Sequence, residues 1–476
     1  MLSLNCRVAR RRRFLELVSR PVLLFAGGER PRGSPFQTYP YRADNNFLLF
    51  FDRPEPGSAA LFDPDEKTVT LFLPDRTVET ATWSGELISF DAVREREGVD
   101  AVLAVEKMPQ TLSDLLRGRQ VLSLAVGDPN ATRLASSISG QSLVYDDPAR
   151  IGPQELVDAL ATLRLRKEPE DIAEIRAAAQ VTREAHLAVL ESVRPGVTER
   201  ELAARMEEIY LKNGCANAYG TILSVRGEIL HNPNHEGVLQ RGDLLLVDSG
   251  AEVPSGYGAD VTRTWPVSGT FQGEARAIYE IVLAAQKRAI SLVRPGARFS
   301  DVHFGAAHIL AEGLASTGLL KGDPASLVKR GAQNLFSPHG IGHLLGLETH
   351  DLRTFGDRIL YASGRKRSEE FGTNMLRMDL DLDTGMVLTI EPGLYFVPAI
   401  LRRPEFREKF RDAVDFELAE RYLSVNGGRG FGGIRIEDNV VVIPGGCEIL
   451  TPGIPKEISE IERGIGLAGE AMRAAR

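Results

Sequence analysis

Short apolar runs that stop on an acid recur along the later part of this chain. Leu244-Leu245-Leu246-Val247 has the pattern of a buried strand and ends on Asp248-Ser249-Gly250, which puts a carboxylate where the chain turns. After the turn-rich Pro254-Ser255-Gly256, Asp260 opens a second strand, Val261-Thr262-Arg263-Thr264-Trp265. The same order returns downstream: Val387-Leu388-Thr389-Ile390 ends on Glu391-Pro392-Gly393, and Ile434-Arg435-Ile436-Glu437-Asp438-Asn439 leads into Val440-Val441-Val442. Strand alternation predicts Arg435 and Glu437 on one face and Ile434 and Ile436 on the other.

Helical spacing fills the intervals, beginning with an Ala-rich helix predicted through Ile172 to Val193. Val193-Arg194-Pro195-Gly196 recurs as Val293-Arg294-Pro295-Gly296, each time between two helical patterns. A Gly-led strand follows each: Gly242 leads to Asp248, and Gly385 leads to Glu391 at the same spacing. Each half then offers one strand-end acid and one later strand acid, Asp260 or Glu437, so a pseudo-twofold pair of half-sites is expected. The plainer alternative is that Arg-Pro-Gly is an ordinary helix stop that recurs by chance. Earlier in the chain, strand runs such as Ala59-Ala60-Leu61-Phe62 and Val69-Thr70-Leu71-Phe72-Leu73, separated by helical stretches, predict a smaller α/β domain. The boundary is placed near Leu163-Arg164-Leu165-Arg166-Lys167-Glu168-Pro169, giving domains over 1–165 and 166–476 and an α/β (α+β) fold class.

The chemistry these elements carry is that of a metal. Asp248, Asp260, His343, Glu391 and Glu437 each sit in a strand-like or Gly-rich context, and four carboxylates with one imidazole suit hard or borderline divalent ions. Manganese, cobalt or zinc are the candidates. Four negative ligands balance two such ions, and a water held between them would have its pKa lowered to about 7. Without metal the same carboxylates repel one another, and some must stay protonated. Taken singly, any one of these acids is a surface charge or a turn residue more often than a ligand; the constellation carries the signal. His339-Gly340-Ile341-Gly342-His343 and His350-Asp351 fall in one short stretch, and His231 and His235 flank Asn232-Pro233-Asn234. Two glycines in the first cluster argue for a loop, not a helical zinc-protease pair. His186, His303 and His308 lie on helical patterns and are taken as structural.

In these residues the chain resembles the metallopeptidases of the pita-bread fold, and among them the Xaa-Pro aminopeptidases. The resemblance rests on Ile229-Leu230-His231, Leu246-Val247-Asp248-Ser249-Gly250, Ala259-Asp260-Val261-Thr262-Arg263-Thr264, the His339 to His343 cluster with His350-Asp351, Leu388 to Tyr395, and Gly433 to Asp438. Earlier in the chain it rests on Arg10 to Arg13, Tyr39-Pro40-Tyr41-Arg42 and Asn46-Phe47. It implies an N-terminal creatinase-like α/β domain and a C-terminal pita-bread catalytic domain with an internal pseudo-twofold repeat. It implies that Asp248 chelates one ion, Asp260 and Glu437 bridge two, and His343 and Glu391 complete the other, with manganese the first choice. Glu391 would double as proton shuttle, His231 and His350 would steady the scissile carbonyl beside His339, and Arg435 would sit next to the bridging acid in an ionic network. The implied reaction is release of the first residue from peptides with proline second, by attack of a hydroxide held on the metal pair. That bond is a tertiary amide without an N–H, so a dedicated pocket is needed. A dipeptide-restricted prolidase uses the same centre and must also bind both substrate termini, while a non-catalytic binding protein on this fold would be expected to have lost ligands that are present here. The chain departs from the pattern in an extra residue between Gly250 and Asp260, in Asn232 after His231, and in long segments from Leu360 to Leu382 and from Phe396 to Gly432. These segments shape substrate access or a subunit contact, or else are surface excursions.

Composition narrows the setting. With 476 residues, 43% of them hydrophobic, the chain has enough for two cored domains. A net charge of -8 argues against nucleic acid or an anionic membrane as partner. No apolar run approaches the ~20 residues of a membrane span, and Cys6, Cys215 and Cys447 are too few for a disulfide framework, so a reducing cytoplasm is expected. The Arg7 to Arg13 run flows into Phe14-Leu15-Glu16-Leu17-Val18 and is taken as an opening helix, not a transit peptide. The family also implies a homodimer or homotetramer.

Overall fold

The computed structural model of the protein describes residues 1–465 apart from Pro35 and Glu86. Its chain gathers into two compact units, one of residues 1–171 with 352–359, the other of residues 172–351 with those from 360 onward.

The first unit opens on α1 (Leu4–Leu17), whose N-terminus is capped by the Ser3 hydroxyl accepting from the Cys6 N–H. The arginine run predicted on this helix is largely internal. Arg7, Arg10 and Arg11 are buried, and backbone carbonyls and acids meet most of their guanidinium nitrogens: Arg10 donates to Leu49 O at 3.2 Å and to Glu168 and Asp171 at 2.7 Å each, and Arg11 donates to Phe50 O at 2.6 Å. Long stems packed against apolar surface with satisfied heads are what let such residues leave water. A five-stranded sheet carries the core, built from β1 (Val22–Phe25), β2 (Ala59–Asp63), β3 (Thr68–Leu73), β4 (Ala101–Ala104) and β5 (Leu122–Ser123) in the order β4-β3-β2-β1-β5. Phe14 packs its ring 4.8 Å from Phe50 and 5.0 Å from Phe62, centroid to centroid, tying α1 to the sheet. One expectation needs correction here. No helix separates β2 from β3, which form an antiparallel hairpin. Asp63 makes the turn possible: its Oδ1 accepts the N–H groups of Asp65 and Glu66, and Lys67 takes a left-handed φ of 56°.

The second unit is where the Arg-Pro-Gly echo acquires a structural meaning. α2 (Pro169–Leu190) and α4 (Gly273–Leu292) each run up to one copy, and α3 (Glu199–Lys212) and α5 (Phe299–Ser316) each leave from one. Around the two copies the backbone bonds correspond one for one. Gly196 N–H donates to Leu239 O and Gly296 N–H to Leu382 O, both at 2.8 Å; Leu239 N–H donates to Val197 O at 2.9 Å, and Leu382 N–H to Ala297 O at 2.8 Å. Glu199 N–H and Phe299 N–H then donate to Gly237 O and Leu380 O, each at 2.9 Å. The repeated phrase is thus the start of a repeated unit and not a chance helix stop.

Each half builds an antiparallel sheet. The first comprises β6 (Ile222–Ser224), β7 (Leu244–Asp248) and β8 (Thr262–Pro266), in the order β8-β7-β6. The second comprises β9 (Val387–Ile390), β12 (Asp438–Ile443) and β13 (Gly446–Ile449), in the order β9-β12-β13, with the short pair β10 (Gly393–Tyr395) and β11 (Gly433–Arg435) beside it. Register sets the acids: Asp248 lies opposite Thr262 and Ile390 opposite Asp438, so each strand that ends on an acid pairs with the later acid-bearing segment of its own half. No helix among the described residues is long and apolar enough to cross a membrane.

Candidate metal centre

Asp248 closes β7, Asp260 and Glu437 precede β8 and β12, Glu391 follows β9, and His343 lies on the loop alongside β9, so five side chains from both halves meet in one place. The loop is fastened as a strand would be, with Thr389 N–H donating to His343 O at 2.9 Å and Glu391 N–H to Ile341 O at 2.7 Å. The glycines of His339-Gly340-Ile341-Gly342-His343 allow that approach, since a Cβ on Gly342 would lie 2.1 Å from Thr389 O and one on Gly340 would lie 2.9 Å from Leu376 Cα. Ligand atoms of Asp260, His343 and Glu437 all fall within 4.8 Å of one another. His343 Nε2 stands 3.3 Å from Asp260 Oδ2 and 3.5 Å from Glu391 Oε1, while its Nδ1 lies 3.0 Å from Leu344 O. With Nδ1 against a carbonyl, Nε2 is the ring nitrogen turned toward the acids, the position from which an imidazole ligates a metal.

Electrostatically the cluster is short of positive charge. Burial pushes Glu437 well above the ordinary carboxylate range, and repulsion from Asp260, Glu391 and Asp248 adds to the effect. Asp248 and Glu391 are also raised, burial leading in both. Asp260 alone goes down: burial opposes its ionisation, but the hydrogen bond and charge of His343, the Tyr219 hydroxyl and Arg435 outweigh it. Such a set of mutually repelling, hard oxygen donors around one imidazole fits divalent cations.

Arg435 sits within this set, though its direct carboxylate partner is Asp248 and not Glu437. Its guanidinium also donates to Tyr395 OH at 2.9 Å and to Thr262 Oγ1 at 3.0 Å, and Thr262 passes the link on by donating to Glu437 Oε2 at 2.7 Å. His339 joins through Tyr395. Its Nδ1 lies 2.8 Å from Gly340 O and its Nε2 2.8 Å from Tyr395 OH, so the ring donates to the carbonyl and accepts from the phenol. Burial, helped by Arg435, pushes the His339 pKa down to about 3, which keeps it neutral. His350 stacks edge-on against His343 with ring centroids 4.5 Å apart. His231 is exposed on the stretch after β6, and its neighbour Leu230 packs against Tyr395, Ile222 and Leu246. His186 and His303 are buried on helices, as expected of structural histidines.

Three contributors were not foreseen from sequence. Tyr219 places its hydroxyl 2.6 Å from Asp248 Oδ1 and 2.6 Å from Asp260 Oδ1. It lies in an irregular stretch, Ala218-Tyr219-Gly220, that offers no periodic signal. Asn439 acts as a substitute strand: its Oδ1 accepts the Asp260 N–H at 3.0 Å and its Nδ2 donates to the Asp260 carbonyl, fixing the backbone of the acid that opens β8. Arg377, from the Leu360 to Leu382 segment, lowers the pKa of Glu391 and of His339 by its charge. That segment runs against Gly340 at Met375 and Leu376, and its Phe371 packs 4.7 Å from Phe406 of the second long segment, so the two long segments meet each other.

An α/β fold that gathers three buried carboxylates, a fourth that is partly buried and an imidazole from two related halves is that of a metal-dependent hydrolase. Residues 173–444 match metallopeptidase family M24, and residues 8–123 match the aminopeptidase P N-terminal domain. The chain belongs to that metallopeptidase family. It is 33% identical to a Xaa-Pro aminopeptidase of Escherichia coli over 93% of this chain and 92% of the relative, and 31% identical to a human Xaa-Pro dipeptidase over 93% and 87%. Its structure is similar to that of Escherichia coli aminopeptidase P with the inhibitor Pro-Leu, with a TM-score of 0.81 and 31% identity over 98% of this chain and 99% of the other. Aminopeptidase PepP of Pseudomonas aeruginosa gives a TM-score of 0.80 at 28% identity with the same coverage.

Proposed function

We propose that this protein is a metal-dependent aminopeptidase that releases the first residue from peptides whose second residue is proline. The observation that carries the reading is the convergence of Asp260, His343 and Glu437 within 4.8 Å, flanked by Asp248 and Glu391. Asp248, Asp260, His343, Glu391 and Glu437 would hold two divalent ions; manganese is the first candidate, with cobalt and zinc compatible with the same donors. When bound, such ions offset the carboxylate charge and supply a water with a pKa near about 7. The rest is the work of side chains. Glu391 is the least buried of the four acids at 15% side-chain exposure, and burial raises its pKa, which suits it to take up and return a proton. His231 and His350 donate to the carbonyl of the scissile bond. His339 lines the pocket and, through Tyr395, holds Arg435 against Asp248. The three cysteines are free and burial pushes all their thiols up, Cys6 to about 12, which fits a cytoplasmic protein with no disulfide framework.

Arg377 favours a second reading, in which the enzyme is a Xaa-Pro dipeptidase. A dipeptidase must bind the carboxylate at the far end of its substrate, and a guanidinium near Glu391 and His339 supplies a suitable charge. Hydrolysis of a Xaa-Pro dipeptide and a Xaa-Pro-Xaa tripeptide by metal-stripped protein, with and without added Mn²⁺, separates the cases. Metal-dependent release of the first residue from the tripeptide supports the aminopeptidase, cleavage of the dipeptide alone supports the dipeptidase, and no cleavage of either defeats both.

A further inference from the structure

Glu199 is a carboxylate without a cation. It is the first residue of α3, 2% exposed, and among the described residues no lysine or arginine pairs with it. Its two oxygens are taken by two backbone N–H groups: Val225 N–H donates to Oε1 at 2.7 Å and Gly237 N–H to Oε2 at 2.8 Å. Val225 and Gly237 are the two sides of the neck of the loop over residues 226–236, and that loop carries His231. Glu199 also donates its own N–H to Gly237 O at 2.9 Å, so the neck is bonded to both its backbone and its side chain. The helix N-terminus favours the negative charge, and ionised acceptors make the stronger hydrogen bonds. Gly237 is glycine for the same reason, since a Cβ there would lie 2.6 Å from Glu199 Oε1. Within the loop, Ser224 Oγ accepts from Arg226 N–H and Asn232 Nδ2, both at 2.9 Å, which anchors the turn that presents His231.

The internal repeat gives an independent comparison. Three residues past each Arg-Pro-Gly glycine stand Glu199 and Phe299, and both donate the corresponding backbone bond. Phe299 is fully buried and has no carboxylate to offer. The carboxylate is present in the half that carries His231 and absent from the other.

We propose that Glu199 is a positioning residue, whose carboxylate closes the neck of the 226–236 loop and so fixes where His231 meets the peptide. The proposal rests on the reading of His231 as a pocket residue given above. Two substitutions approach the contact from opposite sides. Glu199→Gln keeps the size, but its amide accepts at one oxygen only and turns an NH2 toward the other backbone N–H. Gly237→Ala leaves Glu199 intact and pushes it off the neck. Each is measured in the full-length Mn²⁺-loaded protein on a Xaa-Pro-Xaa tripeptide, alone and combined with His231→Ala, together with amide hydrogen exchange over the loop. The expected result is that each lowers kcat/KM by about tenfold or more, mainly through kcat, speeds exchange in 226–236, and has no further kinetic effect once His231 is alanine. Full kcat/KM in folded Glu199→Gln overturns the proposal, as does an equal loss in the His231→Ala background. If the unaltered protein cleaves no Xaa-Pro peptide, the functional reading fails and exchange alone decides: faster loop exchange in Glu199→Gln supports the clamp, and unchanged exchange overturns it.

Discussion

Glu437 and Asp438 are consecutive and equally sealed from solvent, yet they belong to charge clusters of opposite design. Glu437 faces Asp248, Asp260 and Glu391, with Arg435 as its main opposing charge, and its pKa is pushed well up, by burial first and by those acids next. Asp438 points the other way, to Arg263 at 2.8 Å and Lys456 at 2.6 Å, with Gln286 and Thr451 donating as well. Burial works against its ionisation, but Arg263 and Lys456 overcome it and bring its pKa down to about 2. The same depth of burial therefore gives a proton-holding acid on one side of the strand and a firmly ionised one on the other. Charge company decides, not desolvation alone. The first cluster is left wanting cations, and the second is complete without them. Arg263 joins the two by also donating to Glu437 O at 2.6 Å, so the finished cluster holds the backbone of the unfinished one.

The comparison is broken most severely on the metal side. Glu391→Gln removes a proposed ligand and the proposed proton shuttle together, and it should lower turnover of a Xaa-Pro peptide by about a hundred- to ten-thousand-fold without loss of fold, as checked by steady-state kinetics beside circular dichroism. On the completed side, Asp438→Ala removes the carboxylate partner of the buried Arg263 and of the partly buried Lys456. It should cost about 3–5 kcal/mol of stability, read from urea denaturation, and it should do so with or without metal. Acid gives the same cluster a second test: because the folded pKa of Asp438 is depressed, its contribution is present above the ordinary carboxylate range and fades as pH falls from about 3.8 toward about 2.

The unfinished side should respond to pH with the opposite sign. Glu437 has a raised folded pKa, so between the ordinary carboxylate range and that raised value the folded chain keeps a proton that the unfolded chain has lost. Metal-stripped protein should then lose stability as pH rises through this window, by up to about 1.4 kcal/mol per pH unit. Bound Mn²⁺ should remove that slope, and Glu437→Gln should flatten it without metal. Thermal melts of metal-stripped protein across this window check the sign; a Tm that rises with pH defeats it.

How much of this could be seen in the amino-acid sequence depended on whether a residue sat in a regular element. The acids were legible because each ends or opens an apolar run, and the repeat because Arg-Pro-Gly recurs where each half begins. The β2–β3 hairpin is not legible from its two apolar runs, which read as part of an alternating α/β pattern, although Asp63-Pro64-Asp65 carries the turn chemistry. Arg377 lies in a segment without regular structure, and its nearness to Glu391 arises from tertiary packing against Gly340. Glu199 has the sequence pattern of an ordinary first-turn acid behind an N-cap, and only the fold reveals which amides it accepts.

Tyr219 offers the finest test, because its proton count is constrained. One phenol carries one hydrogen, yet its oxygen lies 2.6 Å from a carboxylate oxygen of both Asp248 and Asp260. Burial, followed by those two charges, raises the Tyr219 pKa, so the hydroxyl stays protonated and donates to one acid only. Asp260 has its pKa lowered and Asp248 has its pKa raised, so Asp260 is the stronger acceptor of that hydrogen. Tyr219→Phe removes that hold but no proposed ligand, so Mn²⁺ affinity should weaken by about 10–100-fold. Titration calorimetry of the metal-stripped protein reads the affinity, and unchanged affinity would show that Asp260 is held without the Tyr219 hydroxyl.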